Sequence, residues 1–402
     1  EPSRLLSMVE ASGLLGRGGA GFPVGRKLRT VADANRTPIV VVNAMEGEPA
    51  TAKDRSLLLL VPHLVLDGAV LAAEAVGARQ VVVCVAAEVD RVPGTDTLGL
   101  EAASASLQAA VDERVASGVD KVRVKIARPP HRYVAGESTA VARWLSGGSA
   151  LPAFSRVRLA QRGVDGQPTL LQNAESMAQV ALVARFGPEW FRSLGPEADP
   201  GTTLVTVSGA VRSPGVTEMV LGTTTAQLLA AVGGPSEPIS GVLFGGYGGS
   251  FVDAARALEL RLAHVPLDGV DATVGAGIVA AIPAAACGIA ETARVARWMA
   301  GEGAGQCGPC LYGLPALADA LSQLARPASA ADAAVAHGHI GRWCDQIDGR
   351  GACNHPDGVV RLVRSAMTAF AADVAHHRRG TPCAHAERAP VLPVPHAPRS
   401  RP

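Results

Sequence analysis

The chain has 402 residues, 48% hydrophobic and 18% charged, which is room for roughly two to four domains and a sizeable core. Its formal net charge is +1, so no global electrostatic attraction draws it to nucleic acid or to a membrane surface. Aromatic residues are scarce at 3%, and with Lys only at positions 27, 53, 121 and 125 the positive charge is mostly Arg.

Glu1-Pro2-Ser3 opens with neither Met nor a signal-peptide pattern, as a processed or truncated chain would. Apolar side chains at Leu5, Leu6, Met8, Val9, Leu14 and Leu15 then predict a helix running into a glycine-rich loop. That loop, Gly16-Arg17-Gly18-Gly19-Ala20-Gly21-Phe22-Pro23-Val24-Gly25-Arg26-Lys27, is the most informative stretch of the chain. Its bare backbone can lay N–H groups against a phosphate or a flat ring. Gly16, Gly18 and Gly21 spell G-x-G-x-x-G, but a Rossmann turn needs a strand before it. Here a helix precedes and the strand, 39–43, follows. The pattern predicts a nucleotide cradle of another design.

Strand patterns at 39–43, 80–86 and 121–127 alternate with helical ones at 64–76 and 98–116, predicting an α/β layer domain over residues 1–195. Asn43, Glu46 and Glu48 at the first strand's end offer acceptors for ribityl or ribose hydroxyls, and Lys27 with the loop amides suits a phosphate. Lys53-Asp54-Arg55 follows closely. Tyr133-Val134-Ala135-Gly136-Glu137 places an acid at a helix start, which equally describes a plain cap. Pro168 to Ser176 reads as a helix start with the paired amides Gln172 and Asn173.

A break at 195–201 opens a small β-rich unit over 196–268, with strands at 202–209 and 242–244 and a helix at 225–232. Gly245 to Gly249 reads as a tight turn rather than a second phosphate loop. The apolar run 274–290, broken by Pro283, is short for a membrane span and reads as buried strand and turn. Helical periods at 293–300, 314–324, 330–344 and 359–374 predict a small bundle over 269–375. The Arg-, Pro- and His-rich tail, 376–402, reads as disordered.

Cys84 and Cys287 sit in apolar runs as small core residues, while Cys307, Cys310, Cys344, Cys353 and Cys383 crowd the last hundred residues. That asymmetry suits a metal site in a reducing cytosol better than a disulfide framework. Cys307-Gly308-Pro309-Cys310 is preceded by helix, unlike a thioredoxin pair. Zinc, with Cys344, Cys353, His337, His339 or His355 as further ligands, and an iron–sulfur cluster both satisfy the spacing.

Together, these motifs resemble the NADH-binding flavoprotein subunit of respiratory complex I and of related NAD-dependent hydrogenases, colinearly from about Gly13 to Phe370. The resemblance implies an α/β flavin domain, a ubiquitin-like β-grasp domain of the SLBB type, and a C-terminal helical bundle with an iron–sulfur site. It implies FMN, one [4Fe–4S] cluster and NAD(H) as cofactors, with hydride transfer to FMN followed by single electrons to the cluster. Gly16, Arg17, Gly18, Gly19, Gly21, Lys27, Asn43, Glu46, Tyr133, Gly136, Glu137 and Asn173 match the flavin cradle, and Glu48 an acid on the nicotinamide side. Cys307, Cys310 and Cys353 match cluster ligands; the family's first Cys falls on Ala304, and Cys344 is the expected replacement.

Other positions depart from the family pattern. An acid of the flavin site is Met45 here, the second Glu of G-E-E-T is Ser138, and the first Asn of a pair is Gln172. A basic-aromatic stretch becomes Ser155-Arg156-Val157-Arg158, and Thr30 stands near an expected aromatic stacker. The implied partners are other electron-transfer subunits, ferredoxin-like or membrane-bound, with no nucleic acid and no membrane span of its own. The implied location is cytoplasmic or peripheral on the inner face of a membrane. The alternative is an adaptor that keeps the fold and a cluster or zinc, binding partners through its β-grasp domain without oxidising NADH.

Overall fold

A computed structural model describes residues 2–87, 97–267 and 269–395. The first unit begins with α1 (Pro2–Ser12), the glycine loop and α2 (Val24–Ala32). It continues through β1 (Ile39–Ala44), α3 (Lys53–Leu60), α4 (Pro62–Val76), β2 (Gln80–Val85), α5 (Thr97–Ser117), β3 (Arg123–Ala127) and α6 (Ser138–Leu145). It closes with β4 (Thr169–Asn173), α7 (Ala174–Phe186) and α8 (Pro188–Arg192). The four strands are parallel in the order β3-β2-β1-β4. The Val-rich runs of β1 and β2 are buried on both faces, as parallel strands covered by helices should be. Helices α4 and α7 approach closely enough that a Cβ on Gly68 would collide with the Met177 carbonyl.

Two local expectations change. The first helix stops at Ser12 because Gly13 turns left-handed at φ 70°. Residues 169–173, expected to start a helix, are a strand whose last residue, Asn173, caps α7.

The second unit contains β5 (Thr202–Gly209), β6 (Gly215–Val220), α9 (Thr225–Ala231), β7 (Ile239–Phe244), β8 (Ser250–Asp253), α10 (Ala254–Glu259) and β9 (Ile278–Pro283). Its mixed sheet has the order β6-β5-β9-β7-β8, with β9 parallel to β5 and antiparallel to β7. β9 is thus the central strand of this sheet. The boundary expected at 268, a residue outside the described ones, falls too early, because the next fifteen residues hold the strand that completes the sheet.

The third unit is helical: α11 (Gly288–Glu302), a wide turn at Pro309–Gly313, α12 (Leu314–Ala325), α13 (Ala330–Ile347), α14 (His355–Ala369) and α15 (Ala371–His377). Leu314, Leu317, Leu321 and Leu324 of α12 pack in one core with Val295 and Met299 of α11 and Val359 and Val363 of α14. The tail departs from expected disorder as far as residue 395. Leu392 is buried, Val391 and Leu392 donate N–H bonds to Glu291, and Pro393 O accepts from the Tyr247 hydroxyl at 2.5 Å. Residues 396–402 lie outside the described ones. Among the described residues no single helix is long and apolar enough to cross a membrane.

Candidate functional site

The order of the parallel sheet reverses direction between β1 and β4, and a crevice opens beyond the carboxyl ends of two strands at such a point. Asn43, one residue before the end of β1, stands in register beside Asn173, the last residue of β4. Asn173 Oδ1 accepts from the Glu175 N–H (3.0 Å) and from Lys53 Nζ (3.1 Å), and Asn43 Nδ2 donates to the Gly136 carbonyl (2.8 Å).

The glycine loop closes on itself and lies across this junction. Gly16 N–H donates to Phe22 O (3.0 Å), and Arg17 N–H donates to Ser176 Oγ on α7 (2.9 Å). A Cβ on Gly18 would stand 3.2 Å from that of Asn173, so any side chain there would crowd the end of β4 by a few tenths of an ångström. Gly19, at φ 106°, keeps the loop in a conformation few side chains tolerate. Lys27, in the first turn of α2, reaches the Leu171 carbonyl at 3.0 Å. Burial pulls its pKa down, and among the described residues no carboxylate pairs with it. A shielded ammonium without a counter-charge beside bare loop amides suits a phosphate. Gln172 Nε2 is also buried without a partner.

The acids divide in an unexpected way. Glu46, left-handed at φ 42°, turns its carboxylate onto the start of α3, accepting from the N–H groups of Asp54 (2.8 Å) and Arg55 (3.2 Å). Burial, and then the nearby Asp54 charge, push it up to about 7. Burial pushes Glu48 further, to about 8, against the pull of the Tyr247 N–H, which reaches both its oxygens at 3.2 and 3.1 Å. Tyr247 belongs to the Gly245–Gly249 turn of the second unit, where Gly245 and Gly246 are left-handed. A Cβ on Gly246 would meet Glu48 Oε2 at 2.5 Å. The turn is therefore tight, as expected, but its use as a seat for Glu48 had no sequence signal beyond the glycines themselves. Lys53 sits between Asp54 (2.8 Å) and Glu175 (2.9 Å); burial opposes its charge, and the two carboxylates overcome that and raise its pKa.

Several expected cradle residues are engaged elsewhere. The fully buried Arg17 guanidinium faces away from the loop into the second unit. It contacts Asp199 (3.4 Å), His264 Nδ1 (3.1 Å) and the carbonyls of Pro200 (3.3 Å) and Thr202 (3.0 Å). It pins the loop rather than facing a ligand. Gly21, left-handed at φ 59°, abuts the His264 carbonyl in the same seam. Glu137 caps α6, accepting from the N–H groups of Thr139 (2.8 Å) and Ala140 (3.1 Å), from Ser138 Oγ (2.9 Å) and from Thr139 Oγ1. Tyr133 donates its N–H to Glu302 (2.8 Å), and its ring meets Trp298 edge-on at 5.6 Å and His355 at 5.5 Å. Met45 is buried among Val41, Val82, Ala135 and Val141, so an apolar contact replaces the family's acid.

Near the start of α12, the Gly303-Ala304-Gly305 turn wraps Cys310: a Cβ on Gly303 would lie 3.3 Å from its Sγ, and the Gly305 N–H faces it. Burial and the adjacent Cys307 push Cys310 up to about 12, and Cys353 also acts on it electrostatically. A set of three thiols with backbone N–H groups aimed at sulfur fits three corners of an iron–sulfur cluster. Cys344 is not brought to them. Burial raises its thiol to about 11, and the charges around it are Arg364, Asp345 and Asp348, not cysteines. It fills a core position on α13, on the same buried face of the helix as Ile340 and Ile347.

Comparison with known proteins matches residues 9–182 to the Nuo51 FMN-binding domain and residues 290–377 to the NADH-ubiquinone oxidoreductase-F iron–sulfur binding region. The chain is 31% identical over 389 residues to the F subunit of NADH-quinone oxidoreductase in Streptomyces coelicolor, covering 95% of this chain and 84% of that one. It is 29% identical over 381 residues to the F 2 subunit of the same enzyme in Rhizobium meliloti, covering 94% and 89%. An NAD+-reducing [NiFe]-hydrogenase crystal structure in the air-oxidized state superposes with a TM-score of 0.83 at 27% identity; the match covers 94% of this chain and spans 63% of that one. The chain belongs to the family of the NADH-quinone oxidoreductase F subunits, and is an electron-transfer component of an oxidoreductase with an α/β FMN-binding domain and a C-terminal iron–sulfur region.

Proposed function

We propose that the chain takes electrons from NAD(P)H or a ferredoxin-like partner at FMN held beyond β1 and β4, and passes them singly to a cluster on Cys307, Cys310 and Cys353. The observation that carries this is the glycine loop lying on the β4–α7 junction beside Lys27, half-buried and with no carboxylate partner among the described residues. FMN, when bound, supplies the change from an electron pair to single electrons. Lys27 and the amides of Gly18 and Gly19 hold its phosphate. Asn43 and Asn173, fixed by Gly136 and Lys53, orient the sugar-like chain, with Glu46 beside them. Glu48, carrying its proton at neutral pH, presents a neutral acid on the nicotinamide side. Arg17, Gly21, Gly136 and Glu137 position these groups from behind, and Tyr133 lies between this region and Cys353 through His355.

We assign residues 202–283 to a β-grasp fold of the SLBB type. The support is a sheet with parallel β5 and β9 at its centre, antiparallel strands on either side and α9 between the second and third strands. Its exposed faces serve docking to other electron-transfer subunits, in the cytoplasm or at the inner face of a membrane. The fourth cluster corner, at Ala304, is left without a thiolate. Anaerobic titration of the FMN-loaded protein with NADH and then NADPH tests the proposal: flavin bleaching by either supports it. Unbleached flavin with both overturns the nicotinamide chemistry and leaves a relay that binds partners.

A further inference from the structure

We propose that Cys287, His377 and Cys383 form a zinc site, made of other residues than the Cys307, Cys310 and Cys353 set, that fastens the C-terminal tail to the helical unit. One ligand atom from each lies within 4.8 Å of those of the other two. Cys287 Sγ and His377 Nε2 are 3.4 Å apart. Zinc bonds of about 2.3 Å to sulfur and about 2.05 Å to nitrogen, at a tetrahedral angle, set that edge at about 3.6 Å. The donors stand almost where the ion would require them.

The histidine is prepared for this role. His377 is fully buried, and its Nδ1 lies 2.9 Å from the Leu324 carbonyl. A carbonyl only accepts, so Nδ1 carries the proton and Nε2 presents its lone pair to the cysteines, the arrangement common to metal-bound imidazoles. Cys287 caps α11, and its sulfur accepts from the Ala290 N–H at 3.3 Å. Asp373 lies one helical turn before His377, and its Oδ2 accepts from the N–H of Gly288, next to Cys287, at 2.8 Å. It is not one of the three donors that gather within 4.8 Å, so the fourth position on the ion would be filled by water. Two soft thiolates and an imidazole select zinc over magnesium or calcium. On binding, each of the two thiols gives up its proton to solvent, so the ion enters with release of two protons and no change of oxidation state.

The three ligands come from the β9–α11 junction, the end of α15 and the tail. Beyond Cys383 the tail continues to Glu291 and to the Tyr247 hydroxyl, whose backbone N–H holds Glu48. The metal would therefore secure a strap over the turn that seats Glu48.

The test is elemental analysis of the full-length, anaerobically purified protein with its flavin and cluster, beside Cys383→Ser and Cys287→Ser. The expected result is about one zinc per wild-type chain, falling at least ten-fold in each variant while iron and acid-labile sulfide stay at the wild-type level. As a second readout, cobalt(II) added to zinc-stripped wild-type protein develops thiolate-to-cobalt absorption, and Cys383→Ser does not. Wild-type protein without zinc and without the cobalt bands overturns the proposal. So does zinc that both variants retain, or a Cys287–Cys383 disulfide in the anaerobic wild-type protein.

Discussion

Replacing Glu48 by Gln tests the claim that burial, not solvent, governs this acid. Raising its carboxyl from an ordinary 4.5 to about 8 means that between these values the native state keeps a proton which the unfolded chain has lost. Stability then falls as pH rises, by about 1.4 kcal/mol per pH unit and roughly 5 kcal/mol across the whole window. Glutamine retains an acceptor for the Tyr247 N–H and has nothing to ionise. The stability difference between Glu48→Gln and wild type should thus move in favour of the variant by about 1.4 kcal/mol per unit from pH 5 to pH 8, and level off above. Glu46, raised to about 7, bends both curves alike and cancels in the comparison. Equilibrium denaturation at half-unit pH steps measures the difference. Parallel pH–stability curves for the two proteins would refute the reasoning, because they would mean Glu48 is ionised in the native state.

Cys353→Ser should lose most bound iron and sulfide, whereas Cys344→Ser should retain both, since its thiol faces the α13 core; iron-to-protein ratios in anaerobic preparations decide. Gly18→Val must push the loop off Asn173, where even a Cβ would stand at 3.2 Å, and should weaken FMN at least ten-fold, about 1.4 kcal/mol, in fluorescence titrations of apoprotein. Arg17→Ala leaves Asp199 buried without its cation and should cost about 3–5 kcal/mol in denaturation, part of which Asp199→Asn in the same chain should restore.

The glycine loop, the first two strands and the first three helical periods were legible because each rests on a local signal (bare backbone, β-branched runs and 3.6-residue spacing), whereas the fourth, 359–374, is two helices broken at Phe370. β4 was not legible, since Thr169 to Asn173 is too short and too polar at its end to separate strand from cap. Cys344 illustrates the same limit. Its spacing from Cys353 made it an attractive ligand, but which way a helix turns one residue depends on what packs against α13, and that is a long-range fact. His377 and Cys383 were read as disordered tail because composition alone carries no trace of a partner ninety residues earlier, at Cys287.

The seam between the first two units explains why the site cannot be read from the flavin domain alone. Arg17 fixes one end of the cradle through Asp199 and His264, and Glu48 is seated by Tyr247; both anchors lie beyond residue 195. Gly21 brings the loop against residue 264, and Gly277 lies against Lys53. These contacts are tight because the residues are glycines, so the fit requires the second sheet to be present. A chain cut at 195 would leave the Arg17 charge and the Glu48 carboxyl facing water. Glu48 would then ionise near its ordinary value, and the loop would lose the guanidinium anchor that sets its height above β4. The second unit is in this sense part of the cofactor site, acting through charge and shape without supplying a ligand.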